Sequence, residues 1–455
     1  MNKKSINVLI LIALAVLCLF IFVGCNTDKA DIFTYSSDDL GVMGKLVRWL
    51  HEDVMGKGNY GWAVVIFTVF LKIIMLPLDF WQRYASRKSA LKMQAMQPII
   101  EGIDKKYGAN TQRSNEEKQK LYKKQGFSMM SSCLPMIVSM VIFFIMFAGL
   151  RNYSTYSSIT NFQLLSNKYY DTFAEQILDE SGENYSIELK QAYEQAYKSA
   201  HDSAINDAKD DENTAILKGQ IKGISAVNEF ASLKASNDND TSYIDTLNKM
   251  ESVAIQAVKD FYEENHESWL WIQNVWQPDT WASIMQPYGG SSFGSSFAGG
   301  AFSSSVNLDN HPDDTKGEYT YNIIRNAVLE TGGHGKNGTW NGFMILPFMS
   351  IGLSFLSMFI SQRMEKKNRK GQVVQQNAQQ ATTNKMMMIM MPLMMAWFGF
   401  IYTGAFAIYM VVNYTISILT TIVMRWPVEK IVTRNLNKDD KNNKNNKSGK
   451  ASYMR

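Results

Sequence analysis

Residues 61–81, GWAVVIFTVFLKIIMLPLDFW, limit most strongly what this chain can fold into. An apolar run of about 20 residues is long enough to cross a ~30 Å hydrocarbon core as a helix. Lys72 stands near its middle. An ammonium at that depth costs about 3 kcal/mol on insertion scales. Thr68 lies one turn earlier on the same helical face. So deep a charge persists where it meets water, a counter-charge or a polar cavity, which points to a hydrophilic pocket within the bilayer. The competing reading is a lysine that snorkels to the surface along its apolar stem.

Composition narrows the chemistry. Five His and three Cys in 455 residues leave little material for a metal site or a disulfide framework. The motifs HExxH and GxxxxGK[ST] are absent. The glycine-rich stretch 289–302 has no lysine to hold phosphate and reads as a flexible loop. Neither a cofactor nor catalytic residues are expected.

Read in order, residues 1–25 look like a secretory signal: Lys3 and Lys4, an apolar run, then FVGC. This ending resembles the lipobox of bacterial lipoproteins, with Phe22 where leucine is usual, and makes Cys25 the candidate for lipidation. An uncleaved signal anchor is the alternative. Residues 43–57 read as an amphipathic helix at the outer interface, with Leu46, Val47, Leu50 and Val54 at helical spacing; an ordinary polar linker helix is the alternative. After the first span, 82–125 carries eleven Lys/Arg against four Asp/Glu. Met96, Ile100, Ile103 and Tyr107 mark one stripe, Gly108 and Asn110 break it, and a capping box at Ser114 starts a second helix. The segment reads as a helical hairpin, placed in the cytoplasm by the positive-inside rule.

The second span is 131–150. The insertion that follows, 151–340, holds 27 acidic and 13 basic residues, net −14, while the remainder is +18. That split agrees with an outside location for the insertion, although long loops weigh little in orientation. It reads as several helices with polar turns such as SNDND, ending in an aromatic stretch with Trp269, Trp271, Trp276 and Trp281. These tryptophans suit an interfacial belt where the chain rejoins the membrane or, equally, a packed core of the insertion.

The third span is 341–361, with Ser350, Ser354, Ser357 and Ser361 on one small polar face. A loop at 362–385 leads to methionine-laden spans at 386–402 and 405–424. Methionine there fills irregular packing or meets varied apolar partners. Tyr409 and Asn413 stand one turn apart and can line the same cavity as Lys72. The basic tail, 425–455, is expected to lose regular structure beyond Asn437; it suits a polyanion or is simply solvated.

Together these motifs resemble the YidC-type membrane-protein insertases, the bacterial branch of the Oxa family. NYGWAVVIFTVFLKIIMLPL is similar to that family's first core span, with Lys72 where arginine is usual; the charge is kept without the bidentate fork. KMQAMQP, SSCLPMIVSM, SWLWIQNVWQPD, WNGFMILPFMS and MMPLMMAWF follow in the family's order. The resemblance covers roughly 43–155 and 268–430 and leaves 156–267 as an enlarged outer loop. Ser139 stands where a groove glutamine is often found, and Met410 where tryptophan commonly follows the tyrosine.

The expected fold is therefore an all-α polytopic membrane protein of five spans beyond the signal, in a bacterial cell membrane, with N-terminus outside and C-terminus inside. The resemblance implies an insertase rather than an enzyme. It would receive short hydrophilic tails of nascent membrane proteins in a positively charged groove lined by Lys72, Thr68, Ser139, Tyr409 and Asn413, and release the apolar segments into lipid. It also implies ribosome contact through the tail and cytoplasmic loops, leaves participation of the Sec translocon open, and gives no reason to expect sequence-specific nucleic-acid binding. The rivals are a transporter or channel, which would usually show internal repeats, a membrane-embedded enzyme, and a lipoprotein scaffold acting through its outer domain.

Overall fold

The computed structural model describes residues 37–56, 58–107, 111–124, 129–206, 212–275, 311, 317–331, 341–366 and 403–452. Regular structure among them is helical; a single isolated bridge pairs Trp269 with Ile272. The signal with Cys25, the fourth span at 386–402, Trp276, Trp281 and the glycine-rich stretch lie outside the described residues.

Helix α1, Val42–Arg48, runs into a π-type turn, Trp49–Met55. The wider turn shifts the inward face by about one residue. Leu50 and His51 are buried, whereas Val54, expected on that face, is exposed. Helix α2, Tyr60–Tyr107, carries the first span and continues without a break into the basic hairpin, keeping Pro77 and Pro98 inside it. At 1.5 Å per residue its 48 residues reach about 72 Å, more than twice a bilayer core.

The hairpin's second arm is α3, Thr111–Lys124. It starts three residues before the expected cap at Ser114. That residue is buried, and its hydroxyl donates to Asp104 Oδ1 on α2 at 2.8 Å. Ser114 therefore clasps the two arms instead of capping the second. Met96, Ile100 and Tyr122 form the small apolar contact between them.

Helix α4, Met129–Leu178, likewise overruns the expected end of its span and becomes the central strut of the acidic insertion. Around it stand α5, Ile187–Ile205; α6, Glu212–Asn237; α7, Ser242–Asn265; and α8, Glu318–Glu330. Their shared core includes Phe162, Tyr170, Ile224, Met250, Val258 and Ile324. Gly223 lets α6 approach α5 closely, since a Cβ there would meet the Tyr193 ring at 2.5 Å. The SNDND turn separates α6 from α7, with Asn239 at φ 55°.

Helices α9, Ile345–Lys366, and α10, Gly404–Ser452, complete the described membrane region. The tail beyond Asn437 does not lose regular structure as the sequence suggested: it extends α10 to Ser452. Growth from a packed helix needs no new nucleus, which offsets the poor propensity of an Asn/Lys-rich segment.

Two helical stretches, Tyr60–Lys88 and Gly404–Asn435, are long and apolar enough to cross a membrane, with mean hydropathy 2.2 and 1.8; Ile345–Ser361 is shorter but also apolar. Their outward faces leave Phe70, Ile73, Ile74, Phe348, Phe359, Leu419 and Val423 exposed. A contiguous apolar surface of this kind suits lipid and not water. The chain is an all-α membrane protein.

The two halves are stitched by the loop after α7. Asn274 N–H donates to Asn341 Oδ1 at 2.8 Å and Asn341 Nδ2 returns a bond to Asn274 O at 2.7 Å. Asn274 Nδ2 also donates to the Tyr262 hydroxyl of α7, and Ala405 N–H at the start of α10 donates to Val275 O. Gly61 lies flat against the Trp269 indole, leaving no room for a Cβ. Trp269 and Trp271 thus pack on the membrane-side core and not in the core of the insertion.

Candidate functional site

Helices α2 and α10 run in the same direction and pack along each other. Lys72 Nζ donates to Ser417 Oγ at 3.0 Å, and Ser417 Oγ donates onward to Asn413 O at 2.7 Å. The ammonium therefore turns toward a neighbouring helix rather than straight into lipid. Among the described residues, the other charges close enough to act on it are Asp79 and Arg83, about two and three turns further along α2.

The remaining candidates divide. Asn413 joins Lys72 through Ser417, by its backbone carbonyl. Thr68 is fully buried one turn before Lys72 and donates its hydroxyl to Val64 O at 2.7 Å, within its own helix. Tyr409, also buried, points its hydroxyl at Met146 Sδ, 3.8 Å away on α4, and its ring lies tilted against Phe406. The backbone of Ser139 belongs to α4, while its side chain lies outside the described residues.

Three residues that sequence reasoning passed over belong to the same helix pair. Ser417 is one, and its signal was present: Tyr409, Asn413 and Ser417 form a polar ridge at i, i+4 and i+8 of an apolar span. Arg87 and Glu429 are the others. Arg87 Nε and Nη2 grip the Glu429 carboxylate at 2.7 and 3.2 Å, with the arginine almost wholly buried. Glu429 is the sole acidic residue between 403 and 438, an oddity worth following in a helix otherwise apolar and basic. Asn435 Nδ2 donates to the Tyr84 hydroxyl beside this pair. The clasp sits about 22 Å along α2 from Lys72, where the hairpin arm begins.

A second polar cluster lies where the membrane core meets the insertion. Buried His51 reaches the Tyr153 hydroxyl through Nδ1 at 2.6 Å and Glu267 Oε1 through Nε2 at 3.0 Å. These groups edge a cavity of about 270 Å³ lined also by Glu52, Tyr156, Asn161 and His266. Among the described residues no group of three or more His, Cys, Asp or Glu side chains is arranged to hold a metal ion.

A helical membrane protein that turns a half-buried lysine toward a polar partner inside the bilayer region is the class these observations define. The family described as 60Kd inner membrane protein matches residues 49–187 and 253–430, well over half of the chain, and the chain belongs to that family. It is similar to the membrane protein insertase YidC of Oceanobacillus iheyensis, with 35% identity over 182 residues, 37% of this chain and 68% of that protein. Its likeness to the membrane protein insertase YidC of Caldanaerobacter subterraneus subsp. tengcongensis is 38% over 116 residues, 26% of this chain and 53% of that one. For the Campylobacter jejuni protein of the same name it is 34% over 110 residues, covering 24% and 20%. The matched stretches thus span about half of the Caldanaerobacter relative and a fifth of the Campylobacter one. No solved structure matches the chain.

The family match extends further into the insertion than the motifs suggested. It takes in 156–187 and 253–267, leaving out only 188–252 there. Helix α4 explains the first extension, because one continuous helix carries both the span and the insertion's strut.

Proposed function

We propose that this protein is a membrane-protein insertase that draws short hydrophilic tails of nascent proteins into the bilayer beside Lys72 and lets their apolar segments pass sideways into lipid. The carrying observation is the Lys72 ammonium, set in the middle of a membrane-crossing helix and bonded to Ser417 on α10. Opposite charges attract strongly where water is scarce, so a cation there lowers the cost of bringing an acidic tail partway across. No bond is made or broken, and no catalytic residue is assigned.

The topology belonging to this reading is five spans, with the basic hairpin and tail in the cytoplasm and the acidic insertion outside. In intact cells, an impermeant thiol reagent should label Asp240→Cys and spare Lys118→Cys. Labelling of the hairpin position from outside would overturn the arrangement.

The activity is tested by reconstitution into liposomes with single-span clients whose leading tails are acidic or neutral. Lys72→Arg should retain insertion, and Lys72→Ala should lose about tenfold with acidic tails and less with neutral ones, the scale of one charge-assisted contact. Lys72→Glu should be worst. Equal insertion of acidic tails by Ala, Arg and wild type at equal abundance would sink the electrostatic mechanism.

A further inference from the structure

We infer that Ser417 is a positioning residue: it holds the Lys72 ammonium in place without neutralising it, and a carboxylate on the client tail takes its place. The inference rests on the insertase reading above and adds the residue that makes it selective.

The geometry fixes the direction of the contact. A hydroxyl has one proton to donate. Ser417 commits its proton to Asn413 O at 2.7 Å, so it faces Lys72, 3.0 Å away, only as an acceptor. Several other hydroxyls of the spans stay within their own helices: Thr68 bonds Val64 O, Ser350 bonds Pro347 O, Thr415 bonds Val411 O and Thr421 bonds Ser417 O, whereas the Tyr409 hydroxyl meets Met146 Sδ on α4 and Tyr414 bonds Ser354 on α9. Ser417 does this as well, and in addition receives a cation from another helix.

A neutral acceptor suits a resting site. It keeps the long lysine stem from swinging out toward lipid headgroups. It also forms a weaker bond to an ammonium than a carboxylate does, so an incoming Asp or Glu side chain displaces it favourably. A permanent acid at 417 would instead occupy Lys72, and an apolar residue would leave the ammonium without a fixed rest. Among the described residues, Asp79 and Arg83 are the other charges acting on Lys72. Both lie on its own helix, so neither ties it to α10.

The test uses the full chain in liposomes with the acidic-tailed and neutral-tailed clients, scored as the ratio of the two at equal protein abundance. Ser417→Asp should cut insertion of the acidic-tailed client about tenfold and change the neutral-tailed one by less than about twofold, the effect of one charged contact. Ser417→Thr keeps the hydroxyl and should keep the ratio. Ser417→Ala should move the ratio toward unity, and supplies the reading if the Asp variant does not accumulate.

A wild-type ratio in both Asp and Ala variants, with Lys72→Ala defective, would overturn the role of Ser417 and leave the insertase reading standing. An equal loss of both clients in the Asp variant would also overturn it, because that is the signature of a merely structural serine. If Lys72→Ala itself handles both clients like wild type, the charge mechanism falls and this inference with it.

Discussion

The membrane region and the acidic insertion use much the same apolar alphabet and solve opposite problems. In the insertion, helices turn their large side chains inward: Phe162, Tyr169, Tyr170, Ile224 and Val258 are all essentially inaccessible. In the spans, Ile73 is 59% exposed and Val423 72% exposed, because lipid and not protein completes their surroundings. Polar atoms differ as sharply. The insertion satisfies them across elements: Tyr169 donates to Glu251, Tyr170 meets Thr320, and Gln220 donates to Asp171. The spans mostly satisfy them inside one helix, by hydroxyls folded back onto the preceding turn. Among the described residues, polar contacts that cross between membrane helices are fewer: Lys72 with Ser417 and Arg87 with Glu429 join α2 to α10, and Tyr414 with Ser354 joins α10 to α9.

Substitution in the insertion core should give the largest loss of stability and little loss of insertion by the proposed mechanism. Phe162→Ala removes a fully buried ring and should destabilise the insertion by about 3–5 kcal/mol. Limited proteolysis of α5 to α8 should rise steeply, while liposomes still insert a simple single-span client. If client insertion collapses in step with the proteolysis, the two regions are one functional unit and the contrast fails.

The Arg87–Glu429 clasp comes next, since removing one partner strands a desolvated charge. Glu429→Ala should cost about 3 kcal/mol in detergent unfolding, the low end for a buried pair because the glutamate is 23% exposed at its side chain. Replacing both, Arg87→Met with Glu429→Leu, should recover most of that loss. A double variant as unstable as the single one would show that the pair is not the unit of stability.

The sequence made the class legible and left the contacts hidden. The run around Lys72 announces a span because length and hydropathy are properties of residues taken together. Span ends were not legible in α2 and α4, which continue as helices past the point where apolar residues stop. Helix formation needs only a backbone ladder, and the hydrophobic pattern marks where lipid ends, not where the helix ends. The polar ridge through Tyr409, Asn413 and Ser417 could be counted from the sequence. Which of its members meets Lys72 depends on how α10 is rotated against α2, and that is decided by packing at distant positions such as Phe67 and Phe406. Likewise the clasp needed residues 342 positions apart to be brought together.

The smallest expected effect lies in the basic hairpin, which borrows the insertion's habit of bonding across elements but does so in an exposed setting. Lys118 and Ser114 of α3 both bond the Asp104 carboxylate of α2. The Lys118 contact first, and Ser114 with it, hold the Asp104 carboxyl below its ordinary value of 3.8. A carboxylate lowered in this way contributes its stabilisation fully above the unfolded value. The contribution disappears as pH falls below about 4 and through the folded value. At neutral pH the clasp is therefore intact. Because Asp104 is exposed, solvent screens most of the gain, and the apolar contact of Met96, Ile100 and Tyr122 carries the rest. Amide exchange in α3 should rise modestly between pH 5 and pH 3 in the intact chain, with no matching rise in α6 or α7. Asp104→Asn should show the faster exchange already at pH 7 and lose that pH dependence. Exchange in α3 that ignores both pH and the substitution would mean that the apolar contact alone holds the hairpin, as it holds the insertion.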